Sequence, residues 1–498
     1  MPTIELPGRL YTASQTRELD RLAGAAGLSG EELMERAGRA AFALLVQRWP
    51  RVTDPAVLCG GGNNGGDGYV LARLARQAGL APVIYQDRPL ERLTGDALTM
   101  ARRAQAAGVP MRPLTPDSLP DQHPLLVDAL LGTGLTGPLR DDKKALIEAL
   151  DRLGKPVLAV DVPSGLNADS GTGGAVLHAV CTLTFIGVNR GLLTGDGPLC
   201  SGELLFDDLG VPARLHEQIE RPLWRPTAAD SRRWLPARRR DAHKGRFGHV
   251  LVIGGDHGFG GAALMSARAA ARCGAGLVSL ATRGEHLLPA LTSQPEIMAR
   301  AVDNGAQLQP LLDKATVIAV GPGLGTDEWG ADLLTAVLAS GVPLVIDADG
   351  LNLLAQRAPA ARDDWLLTPH PGEAARLLGS DTGTVQRDRF AALESLTVRY
   401  GGTVLLKGQG TLVRSGAAGA LISDGNPGMA SGGMGDVLTG VIAALLAQGV
   451  PAFQAAALGA MVHARAADAS AADDGERGLL ATDLLPYLRR ELNGTTHD

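Results

Sequence analysis

Residues 426–440 read NPGMASGGMGDVLTG and lead directly into the apolar run VIAALLA. The longer stretch VLTGVIAALLA predicts a buried helix, and four glycines precede it. Free backbone N–H groups and the positive end of the helix dipole make such a glycine-rich helix start a binding site for anions. Asp436 stands at the same helix start, although a carboxylate repels a phosphate. The stretch therefore predicts an anion site and a carboxylate that serve different atoms of the ligands.

The composition is that of a globular enzyme with more than one domain. At roughly 100–200 residues per domain, the 498 residues predict two or three domains, each with its own core. Hydrophobic residues make up 45% of the chain and charged residues 20%, which excludes a disordered protein. A net charge of −6 and an aromatic content of 3% argue against nucleic acid or an anionic membrane as a partner.

The termini and the cysteines indicate a cytoplasmic protein. The N-terminal segment MPTIELPGRLYTASQTRELD lacks the apolar core of a signal peptide, and no run reaches the roughly 18 apolar residues of a membrane span. The four cysteines form no Cys-x-x-Cys pair and lie mostly in apolar segments. We interpret them as buried side chains in a reducing compartment, not as disulfides or zinc ligands.

Strand-like runs alternate with helical periodicity, which predicts an α/β fold with mostly parallel sheets covered on both faces. In the first half, the candidate strands are 56–59, 81–85, 124–130, 156–161 and 181–185. In the second half, they are 249–255, 276–282, 316–321, 342–349, 364–368 and 402–408. The two halves share this architecture without a sequence repeat.

The alternation breaks between the two halves. Residues 221–240 read RPLWRPTAADSRRWLPARRR and are rich in Arg and Pro, with little apolar periodicity. The segment is either a nucleic-acid-binding patch or a solvated linker, and the acidic, aromatic-poor chain favours the linker. We therefore predict two domains, residues 1–220 and 221–498.

Three loops with Gly, Asn, Asp or Ser follow strands of the first half. They are CGGGNNGGDGYV (59–70), VDALLGTGLTGPL (127–139) and VDVPSGLNAD (160–169). Ligands of open α/β sheets bind beyond the carboxyl ends of the strands, so we expect Asp128, Asp161 and Ser164 to meet the first loop. Their oxygens suit a simple hard cation. The alternatives are a tight strand-to-helix connection for the glycines and helix capping for the two aspartates.

In that order, GNNGGDG, VDALLGTGL and DVPSG resemble the NAD(P)H-hydrate epimerase family over residues 5–215. The resemblance implies a Rossmann-like, three-layer α/β/α domain that interconverts the R and S forms of NAD(P)H hydrated at C6 of the nicotinamide ring. It implies that the hydrated dinucleotide is bound by Asn63, Asn64, Gly65, Gly66, Asp67, Gly132, Thr133, Gly134, Leu135, Thr136, Gly137, Pro138 and Asp161. It also implies a K⁺ ion on Asn64, Asp128 and Ser164. Epimerisation needs a group that assists loss and return of the C6 hydroxyl, and Asp161 is our candidate.

Four more loops stand at strand ends of the second half. They are HKGRFGHVLVIGGDHGFGGA (243–262), GPGLG (321–325), TPHPGE (368–373) and KGQGTLV (407–413). His370 lies between two prolines, in a rigid turn that can hold an imidazole against a ligand; the alternative is a structural histidine. Lys407 ends an apolar strand before a glycine-rich turn, as a solvated strand end or as part of a phosphate cradle.

Together with NPGMASGGMGDVLTG, these loops resemble the ADP- or ATP-dependent NAD(P)H-hydrate dehydratases of the ribokinase-like superfamily over residues 230–490. The resemblance implies that the S hydrate is contacted by Ala262, Gly323, His370 and Asp436. It implies that the adenine nucleotide is bound by Lys407, Gly408, Gln409, Gly410, Thr411 and Gly435. Asp256, in GGDHGFGGA, stands where the family pattern leads us to expect Ser, which weakens the assignment in that loop.

The implied chemistry suits a kinase-like loop. Phosphorylation turns the C6 hydroxyl, a poor leaving group, into a phosphate that the ring nitrogen's lone pair can expel. Asp436 would accept the hydroxyl proton, the N–H groups of Gly432–Gly435 would hold the phosphoryl group, and Mg²⁺ would accompany ADP or ATP. We therefore expect a bifunctional isomerase and lyase that repairs hydrated NADH and NADPH and binds small molecules.

Two other functions fit part of the pattern. A ribokinase-like vitamin-precursor kinase of the hydroxymethylpyrimidine or hydroxyethylthiazole type, fused to a nucleotide-binding domain, shares the terminal Gly-Asp loop but not GNNGGDG or TPHPGE. A nucleotide-sensing or RNA-binding module in the first half is the non-catalytic alternative. The alanine-rich segment 452–472 allows a homo-oligomer through helix packing, although a helix buried in its own domain is the preferred interpretation.

Overall fold

The structure is a computed structural model that describes residues 2–3, 5–135, 137, 139–357 and 359–494. It divides into two compact units, Met1–Trp224 and Arg225–Asp498, while the sequence places the boundary at 220/221. No helix in the described part of the chain is long and apolar enough to cross a membrane.

The first unit is built on a parallel sheet. The strands of the first unit are β1 (Arg9–Leu10), β2 (Ala56–Cys59), β3 (Val83–Gln86), β4 (Met111–Pro113), β5 (Leu126–Ala129), β6 (Val157–Val160), β7 (Cys181–Phe185), β8 (Glu203–Asp207) and β9 (Leu223–Trp224). Seven of them form one sheet in the order β4-β3-β2-β5-β6-β7-β8, and every neighbouring pair in it is parallel. The short strands β1 and β9 pair antiparallel with each other.

Helices cover both faces of this sheet. They are α1 (Ala13–Ala25), α2 (Gly30–Arg48), α3 (Asn63–Gln77), α4 (Gly95–Ala106), α5 (Asp141–Asp151), α6 (Gly197–Ser201) and α7 (Ala213–His216). Alternate residues of β2 belong to different apolar cores, Val57 and Cys59 to one and Ala56 and Leu58 to the other. Since successive strand side chains point to opposite faces, the sheet is buried on both sides, as the continuous apolar strands predicted.

The strand order locates the ligand crevice. From β2 the chain moves outward to β3 and β4, and it then returns to the other side of β2 as β5 and β6. The strand order therefore reverses between β2 and β5, where open α/β sheets bind their ligands at the carboxyl ends.

The second unit carries a longer mixed sheet. Its strands are β10 (His249–Ile253), β11 (Leu277–Thr282), β12 (Met298–Ala301), β13 (Val317–Val320), β14 (Leu344–Ile346), β15 (Trp365–Leu367), β16 (Thr403–Leu406), β17 (Thr411–Ser415) and β18 (Ala418–Ile422). Their order is β18-β17-β16-β15-β14-β13-β10-β11-β12. The β16–β17–β18 meander is antiparallel and the remaining pairs are parallel.

The helices of this unit are α8 (Ala228–Trp234), α9 (Gly260–Arg272), α10 (Leu287–Ser293), α11 (Gln309–Leu312), α12 (Glu328–Ala339), α13 (Ala348–Ala355), α14 (Pro371–Leu378), α15 (Thr382–Arg387), α16 (Arg389–Tyr400), α17 (Met434–Ala447), α18 (Ala452–Asp474) and α19 (Leu484–Asn493). Helix α17 is the buried helix predicted after Asp436. The small residues of α18 are buried as well, which is the interpretation preferred for segment 452–472. All four cysteines are free and buried, as predicted.

Candidate active sites

A cavity of about 750 Å³ opens in the first unit beside the carboxyl ends of β2, β5 and β6. Three loops that are distant in sequence meet in its wall. Of the residues implied to bind the hydrate, the lining includes Asn63, Asn64, Asp67, Gly132, Thr133, Gly134, Leu135 and Asp161. The structure thus brings together most of the predicted set.

The other members of the set lie elsewhere. Gly65 and Gly66 do not line the cavity; they occupy the first turn of α3, where a Cβ on Gly65 would overlap the carbonyl oxygen of Gly60. Gly65 therefore permits the close packing of the loop against the helix start. Gly137 has a positive φ of 77° and is also absent from the lining. Thr136 and Pro138 lie outside the described residues.

Asp161 directly follows β6 in an unusual backbone conformation. Its φ is +69°, a left-handed value that is uncommon for a residue other than glycine. Its carboxylate is hydrogen-bonded by the backbone of Thr133 and by the hydroxyl of Thr184. Burial raises its pKa to about 6, and these two hydrogen bonds oppose the rise. A carboxyl with this pKa can exchange a proton near neutral pH, as an acid/base residue must.

Three further carboxyls line the same cavity, and one of them, Asp87, pairs with Lys143. Asp20, on α1, has a pKa raised to about 6 by burial and by the charge of Asp161. Burial and the charges of Asp161 and Asp20 raise the pKa of Asp67 well above its usual range. Asp20 was not predicted as a site residue, because TRELDRL has the charge pattern of an exposed helix face.

Two carboxamide side chains in the wall lack partners. The side-chain nitrogen and oxygen of both Asn64 and Asn189 are buried, and no described residue forms a hydrogen bond with them. A buried polar group without a partner costs about 1–3 kcal/mol, so these groups are built to meet a ligand. Asn189 was not predicted, since nothing in GVNRG sets it apart from an ordinary loop.

Asp128 and Ser164 are fully buried behind the cavity wall. The Ser164 hydroxyl donates to Oδ1 of Asp128 at 2.6 Å, and its backbone N–H donates to Oδ2 at 2.8 Å. The N–H of Leu131 donates to the Ser164 hydroxyl at 2.9 Å. Burial raises the pKa of Asp128 to about 6 against these hydrogen bonds. The pair therefore ties the loops after β5 and β6 together.

The second unit places Asp436 in the first turn of α17, after Gly433 with a positive φ of 91°. Burial raises the pKa of Asp436 to about 7, and the charge of Asp347 adds to the rise while that of Lys407 opposes it. A base works best when its pKa lies close to the working pH. The electrostatic surroundings of Asp436 therefore suit proton acceptance.

Lys407 forms a buried ion pair. Its ammonium lies 2.6 Å from Oδ1 of Asp347 and 3.8 Å from a carboxylate oxygen of Glu373, and its side chain is 19% exposed. The hydroxyl of Thr439, on α17, donates to the other oxygen of Asp347 at 2.8 Å. A Cβ on Gly435 would lie 3.2 Å from the ammonium, so Lys407 faces the glycine-rich helix start. Of the two alternatives for Lys407, the solvated strand end does not hold.

Two glycines and a buried arginine set the conformation of the KGQGT turn. Gly408 and Gly410 have φ values of 131° and 64°, which favour glycine. The buried guanidinium of Arg389 donates to the carbonyl oxygens of Leu406, Lys407 and Gly410 at 3.3–3.4 Å. Sequence reasoning missed Arg389, since it precedes an ordinary amphipathic helix.

A side-chain hydrogen bond also lies within the KGQGT turn. The Thr411 hydroxyl donates to the carbonyl of Gly408 at 2.9 Å, which closes the turn, and Gln409 lies at its tip.

His370 is the N-cap of α14. Its Nδ1 accepts from the backbone N–H of Gly372 at 3.0 Å, and the backbone N–H of His370 donates to the carboxylate of Glu373 at 2.8 Å. Half of its side chain is exposed, and its pKa is lowered, first by burial and then by Lys407. The residue thus has a structural role, its Nε2 lies 3.4 Å from a carboxylate oxygen of Glu373, and the exposed half of the ring can face a ligand as a neutral imidazole.

The remaining predicted residues lie together. A Cβ on Gly323 would be 3.2 Å from the Cβ of Ala262, so the GPGLG loop touches the start of α9. Asp256 joins the same contact, because its N–H donates to the carbonyl of Gly323 at 2.7 Å and its carboxylate accepts from Arg283 at 2.7 Å. Phe259 stands next to Gly323 with 63% of its surface exposed, and it is an unpredicted apolar group at this rim.

Comparisons with known proteins match both units. Residues 250–490 match the NAD(P)H-hydrate dehydratase family, and residues 30–191 match the family described as YjeF-related protein N-terminus. A bifunctional NAD(P)H-hydrate repair enzyme of Coxiella burnetii is 48% identical, with 97% of this chain and 99% of the relative covered. The Escherichia coli enzyme of the same description is 43% identical, with 99% and 96% covered.

A solved structure agrees for the second unit. The ADP/ATP-dependent NAD(P)H-hydrate dehydratase of Bacillus subtilis, co-crystallised with ATP and Mg²⁺, is 26% identical with a TM-score of 0.50, covering 55% of this chain and 99% of that one. A ribokinase-like superfamily protein of Enterococcus faecalis is 29% identical with a TM-score of 0.51, covering 54% and 95%. The fold and sites are those of a two-domain enzyme with a ribokinase-like second domain. This chain belongs to the family of bifunctional NAD(P)H-hydrate repair enzymes, which confirms the predicted family and fold class over the vitamin-kinase and binding-module alternatives.

Proposed function

We propose that the first unit interconverts the R and S epimers of hydrated NADH and NADPH and that the second unit dehydrates the S form with ADP or ATP. The observation that carries the proposal is the position of Asp436, a carboxyl with a pKa of about 7 at the glycine-rich start of α17, next to Lys407. In the first unit, the corresponding acid/base candidate is Asp161, which has a pKa of about 6.

In the epimerase site, Asp161 is the group that gives a proton to the departing hydroxyl and takes one from the returning water. Burial is what raises the pKa of Asp161, and the charge of Asp161 in turn raises the pKa of its neighbours Asp20 and Asp67. The unpartnered carboxamides of Asn64 and Asn189 hold the hydrate's polar groups. The apolar part of the wall, including Met34 and Phe185, limits the entry of bulk water.

A K⁺ ion fits the first unit through Asn64, Asp128 and Ser164. The side-chain oxygen of Asn64 is buried and has no partner among the described residues, which is the state of a ligand atom without its cation. Carbonyl, carboxylate and hydroxyl oxygens are the donors that a hard cation takes. The ion would fix the loops of α3, β5 and β6 in the conformation that binds the hydrate.

In the dehydratase site, Asp436 accepts the proton of the C6 hydroxyl as that oxygen attacks the phosphoryl group. The free N–H groups of Gly432–Gly435 stabilise the charge on the phosphoryl oxygens, and losing one such donor typically costs about 10²–10³ in rate. The nitrogen lone pair of the ring then expels phosphate and leaves an iminium ion, and loss of the proton at C5 to water restores the C5–C6 double bond. His370 and Ala262 contact the hydrate, and the residues of the KGQGT turn contact the nucleotide.

A divalent cation suits the chemistry of this site. Asp347, Asp349 and Glu373 all raise the pKa of Asp436, so their negative charges are only partly balanced by Lys407. Among the described residues, no group of three or more His, Cys, Asp or Glu side chains forms a ready metal cage. The carboxylates therefore suit Mg²⁺ that is bound mainly through the nucleotide phosphates, where it neutralises phosphate charge.

The dehydratase is tested by the recovery of NADH absorbance at 340 nm from its purified S hydrate with ADP or ATP. Asp436→Asn should bind hydrate and nucleotide but lose at least 10²-fold in turnover, because no base remains. Asp313→Asn, which changes an exposed carboxylate of the same unit, is the matched control. Turnover of Asp436→Asn within a few-fold of the control would overturn the base assignment.

The epimerase is tested by the exchange between separated R and S hydrates. Asp161→Asn should abolish the exchange while hydrate binding persists, whereas the 340 nm assay on pure S hydrate should be unchanged. An exchange rate equal to that of the unaltered chain would refute the role of Asp161. The same exchange measured in K⁺ and in tetramethylammonium buffers tests the cation, since a large organic cation cannot replace K⁺ at Asn64.

We infer a cytoplasmic location from the four free, buried cysteines, which are typical of a reducing compartment. Fractionation of cells that express the chain at its natural level checks the location. The oligomeric state stays a prediction that sedimentation of the purified chain tests.

A further inference from the structure

Nine arginines line a groove of the second unit and the smaller cavity that adjoins it, and neither proposed activity uses them. The groove measures about 1060 Å³ and adjoins a second cavity of about 720 Å³, with Arg272 and Arg489 in the walls of both. The chain has a net charge of −6, yet nine of its 47 basic residues lie here. The lining residues include one carboxylate, Glu491, and Arg465 pairs with it at 3.4 Å.

Several of these positive charges have no counter-charge. Arg232, Arg268, Arg272 and Arg489 form no ion pair with any carboxylate of the described residues, whereas Arg239 and its neighbour Arg246 approach Asp241. The Nε atom of Arg268 is buried, and no described residue accepts its hydrogen bond. Like charges that share a groove repel one another, and a buried donor without an acceptor costs about 1–3 kcal/mol. The groove and its adjoining cavity therefore lack the acceptors that an anion brings.

The packing of the groove sets the positions of the guanidinium groups. Arg238 stacks 3.7 Å above the ring of Phe247 and donates to the Gln448 side chain at 2.9 Å. Arg268 and Arg272 are four residues apart on α9, so they project from one face of the helix. Guanidinium groups bind phosphate through two parallel hydrogen bonds, which makes such a pair a suitable phosphate site.

The groove is separate from the candidate dehydratase site. Along α9, Ala262 lies at the site and Arg272 lines the groove, and at 1.5 Å per residue these positions are about 15 Å apart. Along α17, Asp436 lies at the site, and Gln448, just past the other end, lines the groove about 18 Å away. The two helices thus run from the site to the groove.

We propose that this arginine groove binds a small anion with two or more phosphate groups, either a nucleoside diphosphate or triphosphate or an inorganic polyphosphate. Its volume is close to the upper end of the roughly 300–1,000 Å³ of small-molecule sites. A single-stranded nucleic acid needs a row of free aromatic faces for its bases, whereas the described lining has two aromatic residues, Trp234 and Phe247, and Arg238 covers Phe247. The segment read as a solvated linker forms α8 and a wall of this site instead.

Calorimetric titration of the full chain with inorganic tripolyphosphate tests the proposal. Arg272→Ala/Arg489→Ala should weaken binding at least tenfold. Arg300→Ala/Arg399→Ala removes the same charge from exposed positions outside the groove and should change binding less than twofold. The absence of binding to the unaltered chain, or equal weakening by both double variants, would overturn the site.

Two further measurements identify how the anion is bound and which anion it is. Arg272→Lys/Arg489→Lys keeps the charge and the fold but loses the two-pronged contact, so its affinity should fall between the unaltered chain and the alanine variant. Competition of ADP against bound tripolyphosphate distinguishes a nucleotide from an inorganic phosphate chain. If Trp234→Ala abolishes the competition, the ligand is a nucleotide. If the competition persists in Trp234→Ala, the ligand is the phosphate chain alone. An oligonucleotide that binds through Arg272 and Arg489 more tightly than tripolyphosphate would overturn the proposal in favour of nucleic acid.

Discussion

Asp347→Asn tests the electrostatics of the dehydratase site most directly. The carboxylate of Asp347 is 1% exposed and binds the Lys407 ammonium at 2.6 Å and the Thr439 hydroxyl at 2.8 Å. After burial, its charge is the main cause that raises the pKa of Asp436 to about 7. Asparagine keeps the size of the side chain and removes the charge, so the substitution isolates the electrostatic effect.

The size of the effect follows from the causes of the Asp436 pKa. A rise from 3.8 to about 7 disfavours the ionised form by about 4 kcal/mol. Burial supplies the largest part, and the charges of Asp349 and Glu373 persist in the variant. We therefore assign to Asp347 about 1.4 kcal/mol, a tenfold change in the ionisation equilibrium. Because the base acts when ionised, the acidic limb of the pH–rate profile should move from about pH 7 to about pH 6.

The same substitution should destabilise the second unit. Lys407 loses its main partner but keeps Glu373 at 3.8 Å. Breaking a buried pair costs 3–5 kcal/mol, so with one partner left we expect about 2–3 kcal/mol. Burial lowers the pKa of Lys407, but Asp347 and Glu373 outweigh it and raise the pKa above its ordinary value. This stabilisation is complete below the unfolded pKa of about 10.4 and is lost as the pH rises through the folded pKa.

The assay is kcat/KM for NADH recovery at 340 nm, measured from pH 5 to 9 with the S hydrate and a saturating nucleotide. Thr439→Val is the matched control, because it removes a hydrogen bond to the same carboxylate at 2.8 Å without changing any charge. Its acidic limb should stay near pH 7 even if its rate falls. An acidic limb that does not move in Asp347→Asn would refute the assignment of the Asp436 pKa to its neighbour's charge.

Three other substitutions test separate parts of the two sites. Asn189→Leu removes a buried carboxamide that has no partner among the described residues, so it should raise the KM of R/S exchange at least tenfold and leave the thermal stability equal or higher, as calorimetry would show. Arg389→Met removes three hydrogen bonds to carbonyl oxygens of the KGQGT turn and should raise the nucleotide KM by about tenfold with little effect on hydrate exchange. Gly65→Ala places a Cβ against the Gly60 carbonyl and should abolish R/S exchange while the 340 nm assay on pure S hydrate persists, whereas Gly24→Ala, where a Cβ meets nothing within 4 Å, should leave both intact.

Much of the fold could be predicted because its signals are local. Runs such as AVLC and PVLAVD are apolar, are bounded by turn residues and form the central strands β2 and β6. The loops after those strands meet because parallel strands place their carboxyl ends at one edge. Asp161 and Asp436 could therefore be assigned to sites before their surroundings were known.

The missed residues share a different property: they act through contacts distant in sequence. Asp20 and Arg389 sit on helices whose patterns resemble ordinary surfaces, and only tertiary packing places Asp20 at a cavity and buries Arg389 under a turn. Asn189 becomes distinctive only when its surroundings supply no hydrogen-bond partner. The segment around Arg232 was predicted to be a linker because its sequence has no apolar periodicity. The groove forms only when α9 and α19 pack beside that segment.

The ion pair at Lys407 also changes how the glycine-rich helix start must work. A lysine beside such a turn usually neutralises phosphate, but here Asp347 and Glu373 already hold the ammonium. The surroundings of Asp436 are therefore acidic before a nucleotide binds, as its raised pKa indicates. A bare nucleotide would add more negative charge to that site, so its phosphates need a cation that arrives with them. The N–H groups of the helix start can then hold the phosphoryl group while Asp436, still able to take a proton, faces the hydroxyl that attacks it.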